Sequence, residues 1–127
     1  MKILKKVLLS LLIATSMGAV SSSAFAEDPG RIVYAPADAI DMTVGKIKTA
    51  IDAINSGAEG AAVAELIKEA SDTSKEINAN DKVDVARSRA NGKLKSARSH
   101  AKKNSLQEAE QELQDASKAF SDLKGLL

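Results

Sequence analysis

The amino-acid sequence predicts an all-α protein, an antiparallel up-down-up-down four-helix bundle made of two helical hairpins. Three observations carry that expectation. From residue 38 onward, apolar residues recur at spacings of three and four, the mark of a helix with one buried stripe. The breaks between periodic segments are short, which forces neighbouring helices to run antiparallel. The second half of the chain also repeats the first in degenerate form.

The elements follow in order. Residues 1–26 have the layout of a secretory signal peptide: Lys2, Lys5 and Lys6, then an apolar stretch from Val7 to Ala14, then the small-x-small pattern Ala24-Phe25-Ala26. Cleavage is expected after Ala26, and the destination is the periplasm. Residues 27–37 read as an extended N-terminal arm, with Pro29, Gly30 and Pro36 as breakers. Residues 38–127 form the bundle domain.

Its first helix is striped by Ile40, Val44, Ile47, Ile51 and Ile54. Gly57 and Gly60 bracket the next break, where Ser56 and Glu59 have the spacing of a capping box. The second helix, Glu59 to Ile77, carries Val63, Ile67, Ala70, Ser74 and Ile77 on one face. The polar link Asn78 to Asp81 supplies a cap for the third helix, whose stripe is thin and mostly alanine: Val83, Ala86, Ala90, Leu94, Ala97 and Ala101. Asn104 or Ser105 caps the fourth, with Ser105 and Glu108 again at capping-box spacing. That helix has the cleanest register, through Leu106, Ala109, Leu113, Ala116, Phe120, Leu123 and Leu127.

The repeat aligns Lys46-Ile-Lys-Thr-Ala50 with Lys93-Leu-Lys-Ser-Ala97 at an offset of 47, and Ile67, Ala70, Ser71 and Ile77 with Leu113, Ala116, Ser117 and Leu123 at an offset of 46. A turn shorter by one residue in the second hairpin explains the change. Alanine layers contribute less apolar area than leucine would. Modest stability is therefore expected, with weak homodimerisation or a ligand as its remedy.

Composition narrows the function. Removal of the leader leaves 15 basic side chains against 17 acidic, a charge of −2 that gives no reason to expect nucleic acid. With no cysteine, thiolate metal chemistry and cysteine nucleophiles are excluded. After cleavage only Tyr34 and Phe120 are aromatic, which disfavours stacking clefts. No Glu-x-x-His pair or phosphate-binding loop occurs, so no enzyme is expected. Charge is divided by helix. Residues 82–103 hold eight basic residues and one acid, Asp84, for +7, whereas residues 59–77 and 104–127 are each −3. In an antiparallel bundle the third helix has both acidic helices as neighbours, so its charge is expected to find partners inside the molecule. Its apolar face, mostly alanine, is not suited to stable membrane insertion.

Two helical hairpins behind a leader, the Gly-x-Glu-Gly turn at Gly57 to Gly60 and the Ala-x-x-x-Ala repeats together resemble the small metal-binding protein family of bacterial periplasms. The resemblance runs from about Ile40 to Leu123. It is carried by Ala53 to Ala62 at the first turn and by Ser99-His100-Ala101-Lys102-Lys103 before the second. It implies a small helical bundle that binds divalent metals, notably copper, through histidines along its helices. This chain departs from that pattern: His100 is its sole histidine, and Asn55, Ser56 and Ala61 stand where imidazoles would be.

The sharpest metal site the residues offer is His100 with Glu108 and Glu112, the two acids one turn apart on the helix after the loop. A mixed nitrogen–oxygen set suits copper, zinc or nickel, although Arg98, Lys102 and Lys103 oppose a cation. The plainer reading makes His100 a partly exposed helical residue and the glutamates a solvated face. The expected function is therefore noncatalytic: weak binding or buffering of a divalent cation. The alternative is a structural module that engages a periplasmic protein through an exposed helical face.

Overall fold

The computed structural model describes residues 33–127; the expected leader and the first part of the arm lie outside the described residues. Four α-helices follow in order: α1 (Pro36–Asn55), α2 (Gly60–Ser74), α3 (Asp81–Lys102) and α4 (Leu106–Asp122), with α4 continuing into a 3-10 turn, Leu123–Leu126. Each helix packs on its chain neighbours, and α1 also packs on α4, which closes the bundle into a ring. No described helix is long and apolar enough to cross a membrane.

The bundle starts two residues earlier than expected. Pro36 opens α1 instead of ending the arm, because its fixed φ and missing N–H suit a first helical turn. Tyr34 packs against the core and Val33 is exposed.

Ile47, Ile67, Leu94 and Leu113, one large residue from each helix, are all fully buried in a shared interior. Half of the buried apolar residues are alanine, 11 of 22. In α1 the stripe is turned relative to expectation. Thr43, Ala50 and Ala53 lie deepest with Ile40 and Ile47, while Val44, Ile51 and Ile54 are partly buried at its edges. Small side chains thus share the buried stripe with Ile40 and Ile47, and the other large ones flank it. Thr43 tolerates burial because its hydroxyl donates to the Ala39 carbonyl at 2.8 Å. Leu127, expected on the α4 stripe, is 51% exposed because the 3-10 turn changes the helical phase.

The two hairpin turns are copies. The Gly57 N–H donates to the Ile54 carbonyl and Ala58 to Ala53; 47 residues later, Asn104 donates to Ala101 and Ser105 to His100. Gly57 (φ 88°) and Asn104 (φ 62°) occupy the left-handed position that ends such helices, glycine and asparagine being the residues that tolerate it best. Three residues separate α3 from α4 and four separate α1 from α2, the expected shortening by one.

Neither capping box forms. Ser56 completes the end of α1 instead of opening α2, whose N-cap is Glu59; Ser105 does sit at the N-cap of α4, but neither cap makes a side-chain bond to its helix. The Asn80 cap does form: its Oδ1 accepts from the Val83 N–H at 3.0 Å, and its amide nitrogen donates to the Leu126 carbonyl at 3.0 Å, tying α3 to the C-terminal turn. Helix α2 ends at Ser74, short of the expected Ile77. The Arg87 guanidinium takes up the loosened carbonyls of Lys75 and Ile77 at 3.3 and 3.1 Å, and the Ile77 side chain plugs the core.

Candidate functional site

Two features of α3 hold what chemistry the described residues offer. The first is the histidine. Position 100 lies at the edge of the buried face of α3, between the core alanines Ala97 and Ala101, so its ring reaches sideways to α4. There Nδ1 lies 2.5 Å from Glu112 Oε1, both side chains being about a quarter to a third exposed (34% and 24%). The oxygen sits off the line along which a ring N–H would point, so Nδ1 is buried beside a carboxylate without an aligned hydrogen bond. The contact is an ion pair only when the imidazole is protonated.

Of the three expected metal ligands, the fold thus brings His100 and Glu112 together. Glu108 does not complete them: it is exposed one turn away, and among the described residues no group of three His, Cys, Asp or Glu side chains is placed to hold a metal. The i,i+4 spacing put both glutamates on one side of α4, but the crossing of α3 over α4 selects only one for contact. Two donors beside the cationic Arg98, Lys102 and Lys103 make a weak site.

The second feature is electrostatic. The expectation that α2 and α4 would neutralise α3 is half met. They are its packing neighbours, but among the described residues Lys82, Arg89, Lys93, Lys95, Arg98, Lys102 and Lys103 make no ion pair. Only Arg87 does, with Asp84 of its own helix at 3.7 Å. The geometry explains the result. The α3 stripe is so thin that its lysines project outward, while two of the three acids of α2 are engaged elsewhere. Glu69 pairs with Lys46 of α1 at 3.7 Å, and Asp72 pairs with Lys68 at 3.0 Å and Lys75 at 3.5 Å. The hydrogen bond from Lys68 is the main reason the Asp72 carboxyl titrates below the usual carboxylate range; partial burial opposes it and the Lys68 and Lys75 charges reinforce it. Between α2 and α3 the side chains also make an uncharged hydrogen bond, the Ser71 hydroxyl donating to Asn91 Oδ1 at 2.6 Å. Sequence reasoning found the charge of α3 but not that it would stay unpaired.

A third feature is an open cleft of about 530 Å³ between the two hairpin turns, bordered by Gly57, Glu59, Gly60, Lys102, Asn104 and Leu106. Its shape follows from the close approach of α2 to the end of α3, where a Cβ on Gly60 would lie 2.1 Å from the Ala101 carbonyl oxygen. No set of acid, base and nucleophile converges on it.

Fold and site together define a small alanine-cored helical bundle with one cationic face. Compared with known proteins, the chain matches no family model, no curated protein and no solved structure.

Proposed function

We propose that this chain is a noncatalytic, exported helical interaction module that works in the periplasm through the outward face of α3, recognising a carboxylate-rich protein surface. One observation carries the reading: among the described residues, six cations of α3 and Lys103 at its C-cap make no ion pair, in a bundle whose other helices are acidic. Unpaired surface charge of one sign steers and selects oppositely charged partners, while costing the compact state some self-repulsion. The flanking acids of α2 and α4 favour a narrow partner laid along α3 over a flat anionic surface, which would meet them too.

Poly-L-glutamate is a suitable probe. Binding that weakens by about tenfold or more when Lys93 and Lys95 are both changed to Glu, and that falls with added salt, is the expected result. Binding unaffected by the double reversal would end this reading.

The contact between His100 and Glu112 favours a second reading, weak divalent-cation binding of the kind the resemblance implies. Titration calorimetry with copper, zinc and nickel tests it. A transition near one metal per chain that His100→Ala abolishes would support metal handling; no heat with any of the three would remove it.

A further inference from the structure

We infer that the face shared by α3 and α4 is a self-complementary docking surface, and that its occupant is a second copy of this chain arranged about a twofold axis parallel to the helices. The inference rests on the proposed working role of the α3 face and names its partner.

The geometry begins at the contact of His100 with Glu112, which marks the outer rim of the seam between α3 and α4. Flanking His100 at helical spacing are Ser96 and Lys103, and continuing along the same stripe by sevens are Arg89 and Lys82, all exposed. Flanking Glu112 are Glu108 and Asp115, and seven residues on, Asp122, again all exposed. Each stripe repeats every seven residues, about 10.5 Å along its helix. One face therefore carries a positive ridge beside a negative one. Lys82, Arg89, Lys103, Glu108 and Asp115 make no ion pair among the described residues, and Asp122 makes only an exposed 3.5 Å pair with Lys118.

A rotation about an axis parallel to the helices preserves height and exchanges left for right. It therefore lays α3 of one copy on α4 of the other, antiparallel, positive ridge on negative ridge, and does so twice. The perpendicular axis would stack α3 on α3 and is excluded by like charge. This is the isologous closure expected of a homodimer.

The exposed apolar residues fit the same operation. Val85 (55% exposed) lies on the α3 stripe between Lys82 and Arg89, while Leu126 and Leu127 (38% and 51%) sit at the same end of the molecule, where the Leu126 carbonyl accepts from Asn80 and the 3-10 turn packs on α3. Because height is preserved, Val85 of one copy meets the C-terminal leucines of the other. The charged stripes then set register and the apolar ends supply contact area.

The test is sedimentation equilibrium on the protein purified as the expressing cell exports it, compared with Arg89→Glu/Lys103→Glu and Glu108→Lys/Asp122→Lys variants, because the His100–Glu112 contact puts Arg89 level with Asp122 and Lys103 level with Glu108. Wild type should dimerise at low salt, with the dimer weakening at least about tenfold between ~20 mM and ~0.5 M salt. Each variant alone should be monomeric, and an equimolar mixture should recover a heterodimer, since one seam then keeps its original charges and the other has both signs reversed. A wild type that stays monomeric at ~1 mM protein in low salt overturns the inference, as does a dimer indifferent to either variant. Circular dichroism of each variant separates loss of dimer from loss of fold. If wild type is monomeric but poly-L-glutamate still binds α3, the twofold dimer falls and the interaction-module reading stands; if neither occurs, both fall.

Discussion

Gly60→Ala is the most informative single substitution. Gly60 opens α2 where it passes the C-terminal end of α3, and a Cβ there would lie 2.1 Å from the Ala101 carbonyl oxygen, 3.3 Å from its carbon and 3.0 Å from Asn104 Oδ1. A relaxed contact needs about 3.5 Å, so α2 and α3 would have to separate locally by more than ~1 Å. Neither side yields easily. The Ala101 carbonyl is fixed by accepting the Asn104 N–H at 2.9 Å, and Ala101 itself is fully buried. Overpacking of this kind costs about 1–3 kcal/mol. Alanine's intrinsic helical advantage over glycine, up to ~1 kcal/mol in a helix interior, is smaller at a first helical position. The steric term wins.

The expected net loss is about 1–3 kcal/mol, or ~5–20 °C in melting temperature for a domain of this size. Gly45→Ala is the internal control. Gly45 is an exposed residue in the interior of α1 with nothing within 4 Å of an added Cβ. The same substitution there should stabilise by about 0.5–1 kcal/mol. Thermal and urea denaturation followed by circular dichroism measure both. If Gly60→Ala proves neutral or stabilising while Gly45→Ala behaves as expected, the close approach of α2 to α3 is refuted.

Further outcomes follow from single contacts. Asn80→Ala removes both the cap on Val83 and the bond to the Leu126 carbonyl; it should cost about 1–2 kcal/mol in denaturant melts and speed amide exchange in the first turn of α3 and the C-terminal turn. Gly57→Ala places a side chain at φ 88° and should cost about 1–2 kcal/mol although the space around it is open, whereas Gly57→Asn should cost less; comparable losses for the two would deny the left-handed conformation a role. Asp72, hydrogen-bonded by Lys68, titrates below the ordinary carboxylate range. Because the folded state binds its proton less readily than the unfolded state, its contribution is fully present above the unfolded value of 3.8 and disappears as pH falls through the folded one. Asp72→Asn should therefore destabilise by only a few tenths of a kcal/mol at pH 7, the site being exposed, and by nothing in strong acid; an Asn penalty that persists in acid would contradict this.

The stripes were legible because helix burial has a period that sequence reports directly. Ile47, Ile67, Leu94 and Leu113 follow it into the core, and the offset of 47 residues between Gly57 and Asn104 emerges as two turns with identical hydrogen bonds. The turns were legible only as breaks. A capping box needs its first residue to stand at the N-cap, and Ser56 is instead used to end the preceding helix. The candidate site was legible in its residues and not in its contacts. Both Glu108 and Glu112 have the right spacing along α4, but contact with His100 depends on the height and rotation at which α3 meets α4.

Sequence by itself determined the class of fold, four amphipathic helices in two related hairpins, because 3.6-residue periodicity and short links leave few ways to bury the apolar edges. It also determined that α3 would be cationic. Only the tertiary structure decided where that charge went. The narrow alanine stripe of α3 turns its lysines to solvent, Glu69 and Asp72 of α2 find partners closer to home, and one imidazole reaches one carboxylate across a seam. The physical reason is range: periodicity is a property of neighbours in the chain, while ion pairs depend on angstrom-scale placement between helices that local pattern does not fix.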